Sequence, residues 1–178
     1  MKQTRWIRKP IEMLRQRYAG HPMVLMKTAF KGVFAVHLFF DYFFAYSLSY
    51  GASMLPTFAV YRDGMLISRW YRRGRGVQVG DVVAFDSVVE PGERVIKRVI
   101  GMEGDYVLRD TPGSGSQHML QIPVGHCWVV GDNLPASRDS RIFGPLPMAL
   151  IKGKIIAKIT PWSERRWVTN NLHPFNQI

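Results

Sequence analysis

The chain has 178 residues, enough for one domain with an appendage. Its net charge is +11, and a single cysteine, Cys127, rules out an intrachain disulfide framework. The charge is concentrated: residues 1–31 hold Lys2, Arg5, Arg8, Lys9, Arg15, Arg17, Lys27 and Lys31 against Glu12 alone. A basic arm ahead of an apolar run reads as a membrane-orientation signal rather than a nucleic-acid face. A solvated basic tail is the alternative.

Residues 1–28 form the arm. Trp6, Ile7, Ile11 and Leu14 stand at helix-compatible spacing, and Pro10 and Pro22 interrupt any long helix. The segment is similar to a mitochondrial targeting arm, although it contains no serine. Residues 29–48 follow as a transmembrane anchor, with an apolar run from Gly32 to Leu48. Seventeen helical residues span about 25 Å, at the short end for a bilayer. His37 and Asp41 share one face of that helix and can pair. Ionisable groups at such depth face protein or water, so a partner helix or an interfacial position is expected. A buried helix of a soluble protein is one alternative. A cleaved secretory signal ending at Ser47-Leu48-Ser49 is another, which the length of the basic arm opposes.

After Ser53 the periodicity shortens. Phe58 to Tyr61, Met65 to Ile67, Val82 to Phe85, Arg94 to Ile100, Tyr106 to Leu108, Cys127 to Val130 and Lys154 to Ile159 are short apolar or alternating runs. Asp63-Gly64, Gly80-Asp81, Pro91-Gly92, Gly104-Asp105 and Pro112-Gly113 punctuate them as turns. Thr111 to Gln117 reads as a flexible loop. The expected fold class is mainly β: an all-β domain over 49–160, preceded by one N-terminal transmembrane helix. Flanked by Trp128, Val129 and Val130, Cys127 reads as a buried strand thiol. Arg69 to Arg75 is a basic aromatic cluster, read as a solvated hairpin edge, with anionic lipid or a partner subunit as alternative contacts. The tail, 161–178, contains Trp162, Trp167 and Phe175 without a clear period and receives no function.

A serine hydroxyl needs a base to take its proton. None of His21, His37, His118, His126 and His173 stands in a recognisable catalytic context. The other available base is a lysine kept neutral by burial, which disfavours the ammonium. Lys97 lies among Val95, Ile96, Val99 and Ile100. In an alternating strand Val95, Lys97 and Val99 share a face, while Arg94, Ile96 and Arg98 point the other way. On its own, such a lysine is ordinarily a surface strand residue.

Three ordered stretches change that balance. They are Ser53-Met54-Leu55-Pro56-Thr57, then Lys97-Arg98-Val99-Ile100-Gly101 with Gly104-Asp105, then Gly131-Asp132-Asn133 with Ser137, Asp139, Ser140 and Arg141. Together they resemble the type I signal peptidases, membrane-anchored serine proteases with a lysine base, over roughly residues 29 to 160. The resemblance implies Ser53 as nucleophile and Lys97 as general base. It implies that Ser137 hydrogen-bonds and orients Lys97, and that Asp139 and Arg141 form an ion pair holding the site loop. Asp132-Asn133 is expected to be a structural turn. Some family members have a serine two positions before the nucleophile. Here that position is Gly51, so the oxyanion would rest on backbone amides, of Ser53 chiefly and of Gly51. No metal and no cofactor are implied.

Within the family, Gly51-Ala52-Ser53, Gly80-Asp81-Val82-Val83 and Asp139 to Pro147 resemble the mitochondrial inner membrane branch, its first catalytic subunit in particular. That branch removes sorting peptides from precursors delivered to the intermembrane space and works as two related catalytic subunits. The resemblance therefore implies precursor proteins, a second related subunit and inner membrane lipid as partners, and no nucleic acid. It places the catalytic domain at the intermembrane-space face of the inner membrane. A bacterial-type signal peptidase, a self-cleaving Ser/Lys repressor and a non-catalytic interaction protein are the competing readings. The apolar run opposes the repressor. Joint retention of Ser53, Lys97, Ser137 and Asp139 opposes decay.

Overall fold

The computed structural model describes residues 21–111, 115 and 118–170. The arm up to residue 20, most of the Thr111–Gln117 loop and the tail from 171, with His173 and Phe175, lie outside the described residues. The chain divides into two compact units, Met1–Tyr42 and Phe43–Ile178.

Helix α1 runs Pro22–Phe43, with none of its side chains buried. Proline suits the first helical position, where its missing N–H is not needed. Twenty-two residues give about 33 Å, enough for a hydrocarbon core of about 30 Å, and the mean hydropathy of the apolar window is 1.5. The expected anchor of 29–48 is corrected: the helix begins earlier and stops at Phe43. From Phe44 the pattern switches to period two. Ala45, Ser47 and Ser49 turn inward while Tyr46, Leu48 and Tyr50 face out, and the backbone finds ladder partners in a strand. Sheet pairing thus claims residues whose apolarity alone suggests a longer helix. Asp41 consequently lies about 3 Å along the axis from the helix end, an interfacial depth, and His37 Nε2 stands 3.5 Å from its carboxylate.

The second unit is a β domain with strands β1 (Phe44–Tyr50), β2 (Tyr61–Ser68), β3 (Val82–Asp86), β4 (Arg94–Gly101), β5 (Tyr106–Leu108), β6 (Met119–Gln121), β7 (His126–Val130), β8 (Leu146–Pro147), β9 (Ile151–Thr160) and β10 (Arg166–Trp167). A four-residue helix, α2 (Ser140–Phe143), precedes β8. The main sheet has the order β1-β2-β9-β3-β4-β7-β8, with β10 added to β9, and β5 pairs with β6 separately. All these pairings are antiparallel.

The centre of the sheet is buried on both faces, which explains why β3 and β7 read as apolar runs rather than strict alternation. One cluster holds Val83, Phe85, Val99, Cys127, Val129 and Ile151. A second, on the other side, holds Met54, Phe58, Met65, Ile67, Val82 and Ile155. Cys127 is fully buried, and burial pushes its thiol up to about 12, as suits an inert packing group. Asp63-Gly64, expected as a turn, lies inside β2. A Cβ on Gly64 would sit 2.1 Å from Thr160 Oγ1, so glycine there permits the close approach of β9 and of Tyr46.

Residues 161–170, unassigned from sequence, strap the back of the domain. Val168 joins the Met54–Phe58 cluster, and Arg166 donates to the Thr57 carbonyl at 2.6 Å. Lys158, buried in β9, contacts Asp63 at 2.7 Å and Glu164 at 2.5 Å. Asp63 also accepts from the Ala59 amide at 2.7 Å. The strap and the loop after Ser53 are therefore tied through one buried ammonium. Lys158→Met is expected to cost about 3 kcal/mol, because it strands the buried Asp63 carboxylate. Thermal unfolding of the detergent-solubilised chain measures it, and an unchanged melting temperature would refute the tie.

Candidate active site

Ser53 and Lys97 are far apart in sequence and meet through the sheet. Ser53 sits in a single 3-10 turn, Ala52–Met54, just beyond β1. Gly51 precedes it with φ 97°, a left-handed backbone that a side chain disfavours. This conformation turns the chain sharply from β1 to Ser53. The Gly51 amide donates to the Val60 carbonyl at 2.9 Å. The Gly51 N–H, expected as an oxyanion donor, thus has the Val60 carbonyl as its partner here, and the residue makes the turn.

Lys97 lies mid-strand in β4, opposite Val83, and is 3% exposed. Its Nζ donates to Ser53 Oγ at 2.7 Å. Burial lowers the lysine to about 8, against smaller opposing pulls from Asp139 and Asp132. Neither carboxylate's pull is strong enough to restore the ordinary value. A hydroxyl within hydrogen-bond reach of an amine that is part-neutral near physiological pH has the geometry that general-base catalysis requires.

The third stretch forms a loop behind this pair. Asp139 is fully buried. It accepts from Ser137 Oγ at 2.6 Å, from the Gly131 amide at 3.0 Å and from Arg141 Nε at 2.8 Å. Burial alone would raise its carboxyl, but the bonds from Arg141, Ser137 and Gly131 prevail and hold it below the usual carboxylate range. Arg141 also donates to the Leu134 carbonyl and to Thr111 Oγ1, both at 2.8 Å, so one guanidinium staples three parts of the loop. The Ser137 hydroxyl is turned to Asp139, whereas the family resemblance assigned it to Lys97. Donating to a carboxylate leaves the hydroxyl its lone pairs, so this bond does not compete with one from an ammonium, which only donates; the bond to Asp139 ties Ser137 into the loop behind the lysine. Gly131 has a packing reason, since a Cβ there would lie 2.2 Å from Ser137 Oγ and 2.5 Å from the Ser53 carbonyl.

A further clamp was not legible as such in the sequence. Arg98, next to the lysine, makes a bidentate bond to Asp132 at 2.8 and 2.7 Å and reaches the Gly80 carbonyl at 2.8 Å. Thr57 Oγ1 donates to the same Asp132 carboxylate. The Asn133 amide donates to the Ser53 carbonyl at 3.0 Å, and its side chain donates to the Ala52 carbonyl at 3.0 Å. Asp132 and Asn133, read as a structural turn, thus hold the Ser53 turn against β4. The signal was present in the adjacency of Arg98 to Lys97 and of Thr57 to Ser53, but their mutual contact was not.

In front of the pair lies a cleft of about 350 Å³, walled by Ser47 to Gly51 on one side and Arg94 to Lys97 on the other, with Phe85 and Phe143 in its lining. Both walls have open strand edges. β1 ends the sheet, and β4 pairs with β7 only from Arg98 onward. No histidine lines this cleft. Among the described residues no His, Cys, Asp or Glu cluster suited to a metal ion occurs.

The family described as signal peptidase, peptidase S26, matches residues 23–113 and 109–160. A β-sheet domain with this serine and lysine, behind an apolar helix, and a match over most of its length define the class: the chain belongs to the signal peptidase family, peptidase S26. More narrowly, it is 38% identical over 139 residues to mitochondrial inner membrane protease subunit 1 of Schizosaccharomyces pombe, covering 78% of this chain and 86% of that protein. It is 39% identical over 128 residues to subunit 1 of Homo sapiens, covering 72% of this chain and 76% of the relative. Subunit 2 of Danio rerio is also similar, 38% identical over 121 residues, covering 66% and 63%. The resemblance to the mitochondrial branch, and to its first subunit, is borne out. A signal-peptidase-type protease at the mitochondrial inner membrane agrees with the apolar helix.

Two outcomes are expected here. Asp139→Ala leaves the Arg141 guanidinium and the Gly131 amide without their acceptor. It should lower melting by the equivalent of about 3 kcal/mol and reduce turnover with it; unchanged melting and turnover would remove Asp139 from the site. Lys97→Met should behave oppositely in stability. A lysine at about 8 in the folded chain, against an ordinary 10.5, loses its proton earlier than in the unfolded chain. Wild type therefore gains stability as pH rises from about 8 to 10.5 and carries the full penalty below that window. Removing the amine should stabilise the chain at pH 7 by on the order of 1–3 kcal/mol and flatten that pH dependence. Melting curves across the window check it, and a less stable Lys97→Met would contradict the buried-ammonium penalty.

Proposed function

We propose that Ser53 and Lys97 form a catalytic dyad that cleaves sorting peptides from precursors delivered to the intermembrane space. The observation that carries this reading is the 2.7 Å contact of the buried lysine amine with the serine hydroxyl. In the reactive state Lys97 is neutral. Its Nζ lone pair takes the Ser53 proton as Oγ bonds to the scissile carbonyl carbon. The carbonyl electrons move onto oxygen, and the Ser53 backbone N–H, at the base of its turn, is the donor aimed at that charge. Collapse expels the amine of the new N-terminus, which takes the proton from Lys97. Water, deprotonated by the same lysine, then attacks the acyl carbon, and as the bond to Ser53 Oγ breaks Lys97 returns the proton to that oxygen.

The substrate is an extended peptide. The free edges of β1 and of the first half of β4 offer main-chain hydrogen bonds on both sides of such a segment, and they deliver it to the serine at the inner end of the cleft. The basic arm remains on the matrix side by the charge bias of short flanks, so the β domain faces the intermembrane space. A related catalytic subunit is the partner, consistent with relatives that are named as subunits.

Arginine at position 97 keeps the charge but stays protonated. Lys97→Arg is expected to be as inactive as Ser53→Ala, at least about a thousandfold down, the scale of general-base loss with its nucleophile. Wild-type kcat/KM on a presequence-like peptide should rise with pH through about 8 as the lysine sheds its proton. Substantial activity in a folded Lys97→Arg would defeat the dyad.

A further inference from the structure

The turn Arg69–Gly74 between β2 and β3 is not used by the catalytic reading. With Arg75 it carries four arginines, and no acidic residue follows before Asp81. Arg72, Arg73 and Arg75 are exposed, and Trp70 is 58% exposed. The turn is rigidly based. Tyr71 packs against the core cluster of Val77 and Val83, and the Lys154 ammonium lies 5.0 Å from the Tyr71 ring centre. Arg73 holds a left-handed φ of 58°, a conformation that glycine would hold at lower cost.

The register fixes where this turn stands. Phe44, the first residue of β1, pairs with Ser68, the residue before the turn. Phe43, the last residue of α1, stacks on Trp70 with ring centres 6.0 Å apart and planes 21° apart. Phe43 and Trp70 both belong to the β unit, so Trp70 stands one ring from the residue at which the chain enters that unit. A helix of this length ends where hydrocarbon meets headgroups, and tryptophan prefers that boundary. Guanidinium groups make bidentate bonds to phosphate.

We propose that Trp70 with Arg72, Arg73 and Arg75 is a membrane-contact surface that binds the headgroups of anionic phospholipids, pinning this corner of the sheet to the bilayer beside the end of the span. Trp70 enters the interface and the arginines take the lipid phosphates. Each arginine near such a surface contributes about a fivefold factor in affinity, weakened by salt.

The test uses the full chain in nanodiscs of phosphatidylcholine alone or mixed with phosphatidylglycerol, with brominated acyl chains as quenchers. The Trp70 signal is the difference between wild type and Trp70→Phe. Quenching of Trp70 should be at least about twofold stronger in anionic discs, and high salt should remove the excess in the wild type itself. The double variant R73E/R75E, with melting unchanged, should lose the excess while keeping peptide cleavage in detergent. Equal quenching in neutral and anionic discs, or an excess that survives both high salt and R73E/R75E, overturns the proposal. So does a double variant that quenches normally but no longer co-purifies with the related subunit, which would make the patch a protein interface.

Discussion

The structure depends on keeping one ammonium group in a place where it is uncomfortable. Lys97 stands mid-strand between apolar neighbours, with a serine hydroxyl as its hydrogen-bond partner and its nearest carboxylates held elsewhere. A carboxylate in direct contact would stabilise the charge and lift the lysine back toward its ordinary range. Asp139 and Asp132 are both close enough to be felt, but each is saturated by an arginine fork, Arg141 and Arg98 respectively. The two ion pairs therefore do two jobs. They staple the loops, and they keep negative charge from offsetting the burial that lowers the lysine to about 8.

The geometry around Ser53 follows the same logic of over-determination. Its turn is held from the front by the Lys97 contact, from the side by Asn133, and from behind by Thr57, Asp132 and the strap bearing Arg166. A reacting atom displaced by an ångström loses its line of attack, so the role proposed for Ser53 needs this fixing. The number of independent ties explains why a loop residue can be as fixed as a strand residue. Gly51 and Gly131 are the two positions where a side chain would spoil this arrangement, one through backbone conformation and the other through contact with Ser137 and the Ser53 carbonyl.

The open edges beside the site stand out against the rest of the fold. Unpaired edges invite aggregation and are usually protected, yet β1 and the first half of β4 leave theirs facing one cleft that ends at Ser53. The first residues of β1 follow the helix directly, so the strand that walls the cleft is also the one joined to the membrane anchor. The basic aromatic turn at the far end of the β1–β2 pair lies where that junction falls.

By itself the sequence determined the class of the protein. Short alternating runs between Gly, Pro and Asp required a β domain, the apolar stretch before Ser53 required an anchor, and the three ordered polar boxes named Ser53, Lys97, Ser137, Asp139 and Arg141. The runs, the turns and the apolar stretch are local patterns of period and spacing, which a linear reading can capture, whereas the five polar residues were singled out by the resemblance of the ordered boxes to the type I signal peptidases. Tertiary structure decided the rest. Where the helix stops was set at Phe43 because β2 offers ladder partners to Phe44–Tyr50, a long-range pairing that apolarity cannot reveal. That Gly51 spends its amide on Val60, that Ser137 turns to Asp139, and that Arg98 clamps Asp132 and Thr57 are choices among competing hydrogen-bond partners, settled only once the strands bring those partners together. Residues 161–170 carry no period of their own because their order is borrowed, through Lys158 and β9, from a sheet whose other strands lie far away in sequence.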